Sequence, residues 1–173
     1  MKTQLRILFV EDRPEDALLI TRELERAEYK ISYERVDTEP VLRQALAREH
    51  WDAVLCDYTM PQFSGGAALR VVNEIAADMP FIYVSGTIGE DVAVEALKSG
   101  AQDYVMKSNL KRLPAALKRG IQEAAARRQQ RLIQKDRDRL VLELEAALHE
   151  VRSLGGLLPF CTHCHRLRER DGA

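Results

Sequence analysis

Five side chains of this 173-residue sequence carry the groups that phosphoryl chemistry uses: the carboxylates of Glu11, Asp12 and Asp57, the hydroxyl of Ser85 and the ammonium of Lys107. Each stands at the end of a short apolar run. Three carboxylates brought together repel and raise one another's pKa unless a cation intervenes. A hard, oxygen-seeking ion such as Mg²⁺, held by few protein ligands and several waters, satisfies them. The Ser85 hydroxyl and Lys107 ammonium then receive the oxygens of a phosphoryl group, whose transfer needs donors and positive charge around it. Asp57, central among them, becomes the nucleophile. Singly, each residue has a plainer role: Asp57 as a loop cap, Ser85 as a turn former, Lys107 as a surface charge. The joint arrangement outweighs these.

The elements that must bring the five together are legible as alternating patterns. Gln4 to Val10 reads as a buried strand ending in Glu11-Asp12, and Pro14 opens a helix through about Glu28 whose inner face is Ala17, Leu18, Ile20, Thr21, Leu24 and Ala27. Ile31 to Val36 is a shorter, more polar strand, and Pro40 opens a helix with Val41, Leu42, Ala45 and Leu46 inward, ending near His50. Val54 to Cys56 leads to Asp57, and Gly66 to Ala77 forms the third helix through Ala67, Leu69, Val71, Val72 and Ile75. Pro80 to Ser85 is the fourth strand; Val92, Ala93, Ala96 and Leu97 line a helix stopped at Ser99-Gly100; Tyr104 to Met106 is the fifth strand. Five strands alternating with helices through short links predict an α/β fold, a doubly wound parallel sheet with right-handed crossovers. In the order 2-1-3-4-5 the chemistry-bearing strand ends converge.

From Pro114 to Ser153 no strand or turn signal appears, and as one helix this stretch spans about 60 Å. That is too long to pack on a domain of this size. Ile133, Leu140, Leu144, Ala147, Val151 and Leu154 follow the spacing of a coiled-coil seam, widened by Val141 and Leu148 and weakened upstream by Gln130 and Arg137. Gly120 is the one candidate hinge, and a fold-back into a helical hairpin has no turn to use. The expected organisation is a domain over 1–125, a dimerising coiled coil over 126–154 and a short flexible tail over 155–173.

Charge divides along the same line: residues 1–112 carry a net −5 and residues 113–173 a net +4. The basic part interleaves acids, which favours a solvated helix face over a nucleic-acid surface. No signal peptide or membrane span is apparent, and three cysteines do not make a disulfide framework, so a soluble cytoplasmic protein is expected. The tail sets Cys161 and Cys164 at CxxC spacing with His163 and His165 interleaved, which suits half of a tetrahedral zinc site. The simpler reading is two free thiols on a disordered terminus.

In this order and at these spacings, "LFVEDRPED", "VLCDYTMP", "YVSGTIGED" and "ALKSGAQDYVMK" resemble a response-regulator receiver (CheY-like) domain of two-component signalling, over residues 5 to about 125. The resemblance implies that Asp57 accepts phosphate from a histidine kinase or phosphotransfer protein. It implies that Glu11 and Asp12 help Asp57 to hold Mg²⁺, with the Thr59 main-chain carbonyl as a further ligand. Ser85 and Lys107 would contact the phosphoryl oxygens, and Tyr104 matches the aromatic that changes rotamer as the hydroxyl residue moves. Ser108 follows Lys107 where receivers usually carry proline, so a trans bond is expected there, a non-proline cis bond costing about 2.5–4 kcal/mol. Function is then expected to be relay of phosphorylation through a homodimeric C-terminal helix to a downstream protein, without DNA or membrane contact. The alternatives are a constitutive dimeric scaffold with little phosphate turnover, and an aspartyl-nucleophile phosphatase. The latter wants an acid two residues after the nucleophile, and Thr59 stands there.

Overall fold

The structure, a computed structural model, describes residues 3–86 and 90–155. Its strands are β1 (Thr3–Val10), β2 (Tyr29–Val36), β3 (Ala53–Cys56), β4 (Phe81–Ser85) and β5 (Asp103–Met106). They form one parallel sheet in the order β2-β1-β3-β4-β5, as the alternation predicts. Between them lie α1 (Pro14–Arg26), α2 (Glu39–Arg48), α3 (Gly65–Ile75) and α4 (Glu90–Lys98), and a 3₁₀ segment, Lys107–Arg112, leads into α5 (Leu113–Gly155).

Side chains alternate across a strand, so a sheet covered on both faces needs apolar residues at every position. β3 meets this with all four residues buried. On one face Leu8, Val10, Val54, Cys56, Phe81 and Tyr83 pack with Leu42, Leu69 and Val72 from α2 and α3. On the other, Ile7, Phe9, Leu55, Ile82 and Val105 meet Ile20 and Leu24 of α1 and Leu113 and Leu117 of α5. Each such side chain contributes about 1.5–3 kcal/mol on burial. The edge strand β2 is half exposed and carries Lys30, Glu34 and Arg35, charges that discourage further strand pairing.

Several boundaries and faces differ from the sequence expectation. β2 begins at Tyr29 rather than Ile31 because pairing with Thr3–Val10 extends the strand to eight residues. α1 stops at Arg26, and Glu28 takes φ 66°, which reverses the chain into β2 and leaves Ala27 exposed. Leu18, Val41, Ile75 and Leu97 belong to their helices but face solvent, since the contact stripe is narrower than the apolar stripe. At the end of α4 the reversal falls on Gly100 at φ 107°, as its glycine predicts. The Lys107–Ser108 bond is trans, with no cis peptide among the described residues.

Compact packing divides the chain at Met1–Arg128 and Gln129–Ala173. In the first unit Leu113, Ala116, Leu117 and Ala124 bury one side of α5. In the second, every side chain from Gln129 to Ser153 is exposed, including Ile133, Leu140, Leu144, Leu148 and Val151. No described helix is long and apolar enough to cross a membrane. The CxxC tail lies outside the described residues, as does Gly156.

Two glycines have different jobs. A Cβ on Gly65 would sit 2.7 Å from Tyr83 Cε1, 2.9 Å from the Asp57 carbonyl oxygen and 3.0 Å from Tyr58 Cα. The loop that follows Asp57 therefore closes directly onto this residue, and Gly65→Ala is expected to cost about 1–3 kcal/mol through forced overlap. Gly120 does not hinge: the helix continues through it, and an added Cβ would meet Pro80 Cβ at an ordinary 3.4 Å. Gly120→Ala is expected to stabilise the fold by about 0.5–1 kcal/mol. Urea unfolding of both variants checks the opposite signs, and a loss of stability in Gly120→Ala would restore the hinge.

Candidate functional site

The carboxyl ends of β1, β3, β4 and β5 open on a cleft of about 440 Å³ lined by Asp12, Asp16, Asp57, Thr59, Ser85 and Lys107, among others. Parallel pairing sets the depth of each group. Val10 stands opposite Cys56, and the Asp57 amide donates to the Val10 carbonyl at 2.9 Å, so Glu11 and Asp57 leave adjacent strands at one level. Ser85 stands opposite Met106, one residue before Lys107.

Lys107 occupies the centre. Its Nζ donates to Glu11 Oε2 at 2.8 Å, Asp16 Oδ2 at 2.7 Å and Asp57 Oδ2 at 2.7 Å. An ammonium has three donors, and all three are used. Burial works against its charge, but the hydrogen-bonded carboxylates of Asp16, Asp57 and Glu11 outweigh it and hold the pKa above the ordinary lysine value. The other Asp57 oxygen, Oδ1, accepts from the Thr59 amide at 3.1 Å, which fixes the carboxylate plane. Asp57 is 9% exposed and Glu11 1%.

Ser85 is 1% exposed, and among the described residues its Oγ has no hydrogen-bond partner of good geometry. An unsatisfied buried hydroxyl costs about 1–3 kcal/mol, so this group is held ready for a partner at a price in stability. Tyr104 points inward; its hydroxyl donates to Met106 Sδ at 3.1 Å, and burial pushes its pKa up while the nearby Ser85 hydroxyl opposes the rise. Cys56, fully buried beneath the site, has its thiol pKa driven well up by burial and is inert.

Residues 7–118 match the response regulator receiver domain family. The chain belongs to that family. Among curated relatives, the C4-dicarboxylate transport transcriptional regulatory protein DctD of Pseudomonas aeruginosa is 30% identical over 98% of this chain and 34% of its own length. Protein-glutamate methylesterase/protein-glutamine glutaminase 2 of Caulobacter vibrioides is 33% identical over 65% of this chain and 33% of its own. The chain thus spans about a third of the length of either relative. Among solved structures, a response regulator receiver domain protein from Clostridium thermocellum matches at TM-score 0.61 and 26% identity, over 70% of this chain and 98% of that one. The signal receiver domain of a signal transduction histidine kinase from Syntrophus aciditrophicus matches at 0.56 and 26%, over 69% and 91%.

The receiver fold brings together seven of the residues singled out in the sequence, Glu11, Asp12, Asp57, Thr59, Ser85, Tyr104 and Lys107, while Cys161, His163, Cys164 and His165 lie outside the described residues. Carboxylate oxygens of Glu11, Asp12 and Asp57 lie within 4.8 Å of one another, an all-oxygen donor set that fits a hard divalent ion such as Mg²⁺. Two further residues belong to the site. Asp16, in the first turn of α1, reaches back to Lys107; its signal was an acid two residues after the helix-opening Pro14. Arg35, at the end of β2, donates to the main-chain carbonyls of Glu11 and Asp12, and nothing in its own neighbourhood of sequence announces this.

Burial pushes the Glu11 carboxyl from 4.5 up to about 6, against the pull of Lys107 and the Arg13 amide. The folded, metal-free receiver therefore keeps this proton to higher pH than the unfolded chain does. Its charged form costs about 2 kcal/mol of stability above about pH 6, and the cost disappears below about pH 4.5. Glu11→Gln is expected to be about 1–2 kcal/mol more stable than wild type near neutral pH without metal, and to lose that advantage on acidification. Paired urea titrations at the two pH values check it.

Proposed function

We propose that this receiver is a switch in which Asp57 takes a phosphoryl group from a histidine kinase or phosphotransfer protein, and the helix continuing from the domain relays the change. The observation that supports it most is the coincidence, in one cleft, of a buried, oriented Asp57, a saturated Lys107 and an unpartnered Ser85 hydroxyl.

An Asp57 oxygen attacks phosphorus; an oxygen–phosphorus bond forms as the donor's phosphorus–nitrogen bond breaks, and the leaving imidazole retains the bond's electron pair. Glu11, Asp12 and Asp57, with the Thr59 carbonyl, would hold Mg²⁺, which when bound supplies positive charge against the phosphoryl oxygens. Lys107 moves from its carboxylates to a phosphoryl oxygen, and Asp16, which no metal ligand set requires, remains to hold the ammonium's other side. The Ser85 hydroxyl gains the acceptor it lacks. Tyr104, adjacent to Ser85, follows that hydroxyl and repacks α4 and β5 against the start of α5.

The relay continues through α5, which carries exposed apolar residues at coiled-coil spacing from Ile133 onward. Pairing of this helix with a second copy buries them and makes a homodimer whose helix crossing reports the state of Asp57 to a downstream protein. The chain acts in the cytoplasm as a signalling protein that assists only its own phosphotransfer and dephosphorylation.

Incubation with a small phosphodonor and Mg²⁺ is expected to add one phosphoryl mass to wild type and none to Asp57→Asn. Beryllofluoride is expected to alter helix crosslinking in the dimer. A chain that dimerises but gains no Asp57-dependent mass would instead be a constitutive scaffold.

A further inference from the structure

We propose that Arg35 is a positioning residue for the metal ligands: its guanidinium fixes the turn that carries Glu11 and Asp12, and thereby sets the affinity of the acidic cluster for a divalent cation. This rests on the reading of that cluster as a Mg²⁺ site.

Within the turn between β1 and α1, the Arg13 amide donates to Glu11 Oε1 at 3.2 Å, which holds the side chain but leaves the main-chain carbonyls to other donors. The last ladder bond reaches the Glu11 amide, which donates to the Val36 carbonyl at 3.0 Å. At the other side, Arg13 caps α1 without any side-chain cap bond. Among the described residues the carbonyls of Glu11 and Asp12 accept no backbone donor. Arg35 meets both: Nη1 lies 2.7 Å from the Glu11 oxygen and 3.4 Å from the Asp12 oxygen. The same nitrogen donates to Asp37 Oδ2 at 3.1 Å, so a carboxylate two residues on, just past the end of β2, helps to hold the guanidinium in place. Phe9 pairs with Arg35 in the β1–β2 register, which places the arginine within reach of the turn. These are contacts to ligand-bearing backbone, and outer partners of this kind typically change metal affinity about 10–100-fold when removed.

Two effects of Arg35 oppose each other, and their signs separate the readings. As a bare charge beside three carboxylates it would repel a divalent cation, so its removal would tighten binding. As the restraint on the turn, its removal frees the main chain of Glu11 and Asp12 and weakens binding. The side chain is 30% exposed, which screens the repulsion, while the short hydrogen bond to the carbonyl of buried Glu11 is not replaced without cost. Positioning therefore dominates.

Calorimetric titration of the full chain with Mg²⁺ alone tests this. Arg35→Met, which keeps the apolar stem and loses the donors, is expected to raise Kd about tenfold or more. Arg35→Lys, which keeps the charge and loses the reach of the planar group, is expected to raise it by a smaller factor. Thermal unfolding without metal identifies any variant that has lost its fold, and Arg35→Lys then decides alone. Unchanged or tighter binding in a folded variant overturns the role of Arg35 while leaving the metal site standing. A wild-type chain that takes up no Mg²⁺ overturns the metal site, and this role with it.

Discussion

One ammonium shared by three carboxylates, Lys107 among Glu11, Asp16 and Asp57, is the interaction on which the upper end of the sheet depends. Without it three acids would face one another in a poorly solvated cleft, and like charges there would protonate or push the strand ends apart. Lys107 sits 14% exposed, where the pairing is worth more than at the surface, yet a buried ion cluster also carries the desolvation of every member. The raised Glu11 pKa records that the cluster is not fully compensated. A site in this condition gains by admitting another cation and by giving Lys107 a different anion, which is the exchange that phosphorylation of Asp57 requires.

The rest of the receiver can be read as what holds that exchange in register. Parallel pairing fixes the strand ends to one level, Thr59 fixes the plane of Asp57, and the close approach of Gly65 to Tyr83 and the Asp57 carbonyl ties the following loop to the core. These restraints come from different elements and converge within a few residues. The Ser85 hydroxyl, buried in the cleft without a hydrogen bond of good geometry among the described residues, is the group of this site left open to a further acceptor.

Most of the fold and the chemistry were legible in the sequence because both depend on short-range pattern. Strands that are apolar at every position, helices with one apolar stripe and acids placed at strand ends fixed the order, the topology and the cleft. Asp16 was within reach of that reasoning, since a first-turn acid of α1 must lie over the same strand ends. Arg35 was not: its partners are main-chain oxygens 24 and 23 residues away, and only the β1–β2 register brings them together. Asp103 was also missed, because its partners come from the 3₁₀ segment and α5. It is a buried acid at the start of β5 that meets Arg112 of the 3₁₀ segment and Arg119 of α5. Leu18, Val41, Ile75 and Leu97 misled in the other direction, because an apolar residue on a helix says nothing of how wide its contact stripe is.

Asp103 and Lys107 place β5 between the site and α5. Four residues apart, they set a buried acid that grips α5 at one end of the strand and the site's ammonium just past the other. Tyr104 lies between them, its amide accepted by Asp103 Oδ1 and its ring beside Ser85. The 3₁₀ segment Lys107–Arg112 then joins the ammonium to Leu113, fully buried at the start of α5. Lys107 is thus joined to α5 through the backbone of the 3₁₀ segment, and the other end of its strand is paired with Arg119 of α5. Spatial continuity alone does not establish coupling. What distinguishes this route is a charged group with several partners at each end, Asp103 with Arg112 and Arg119 and Lys107 with Glu11, Asp16 and Asp57, and a backbone that runs from Lys107 directly into α5.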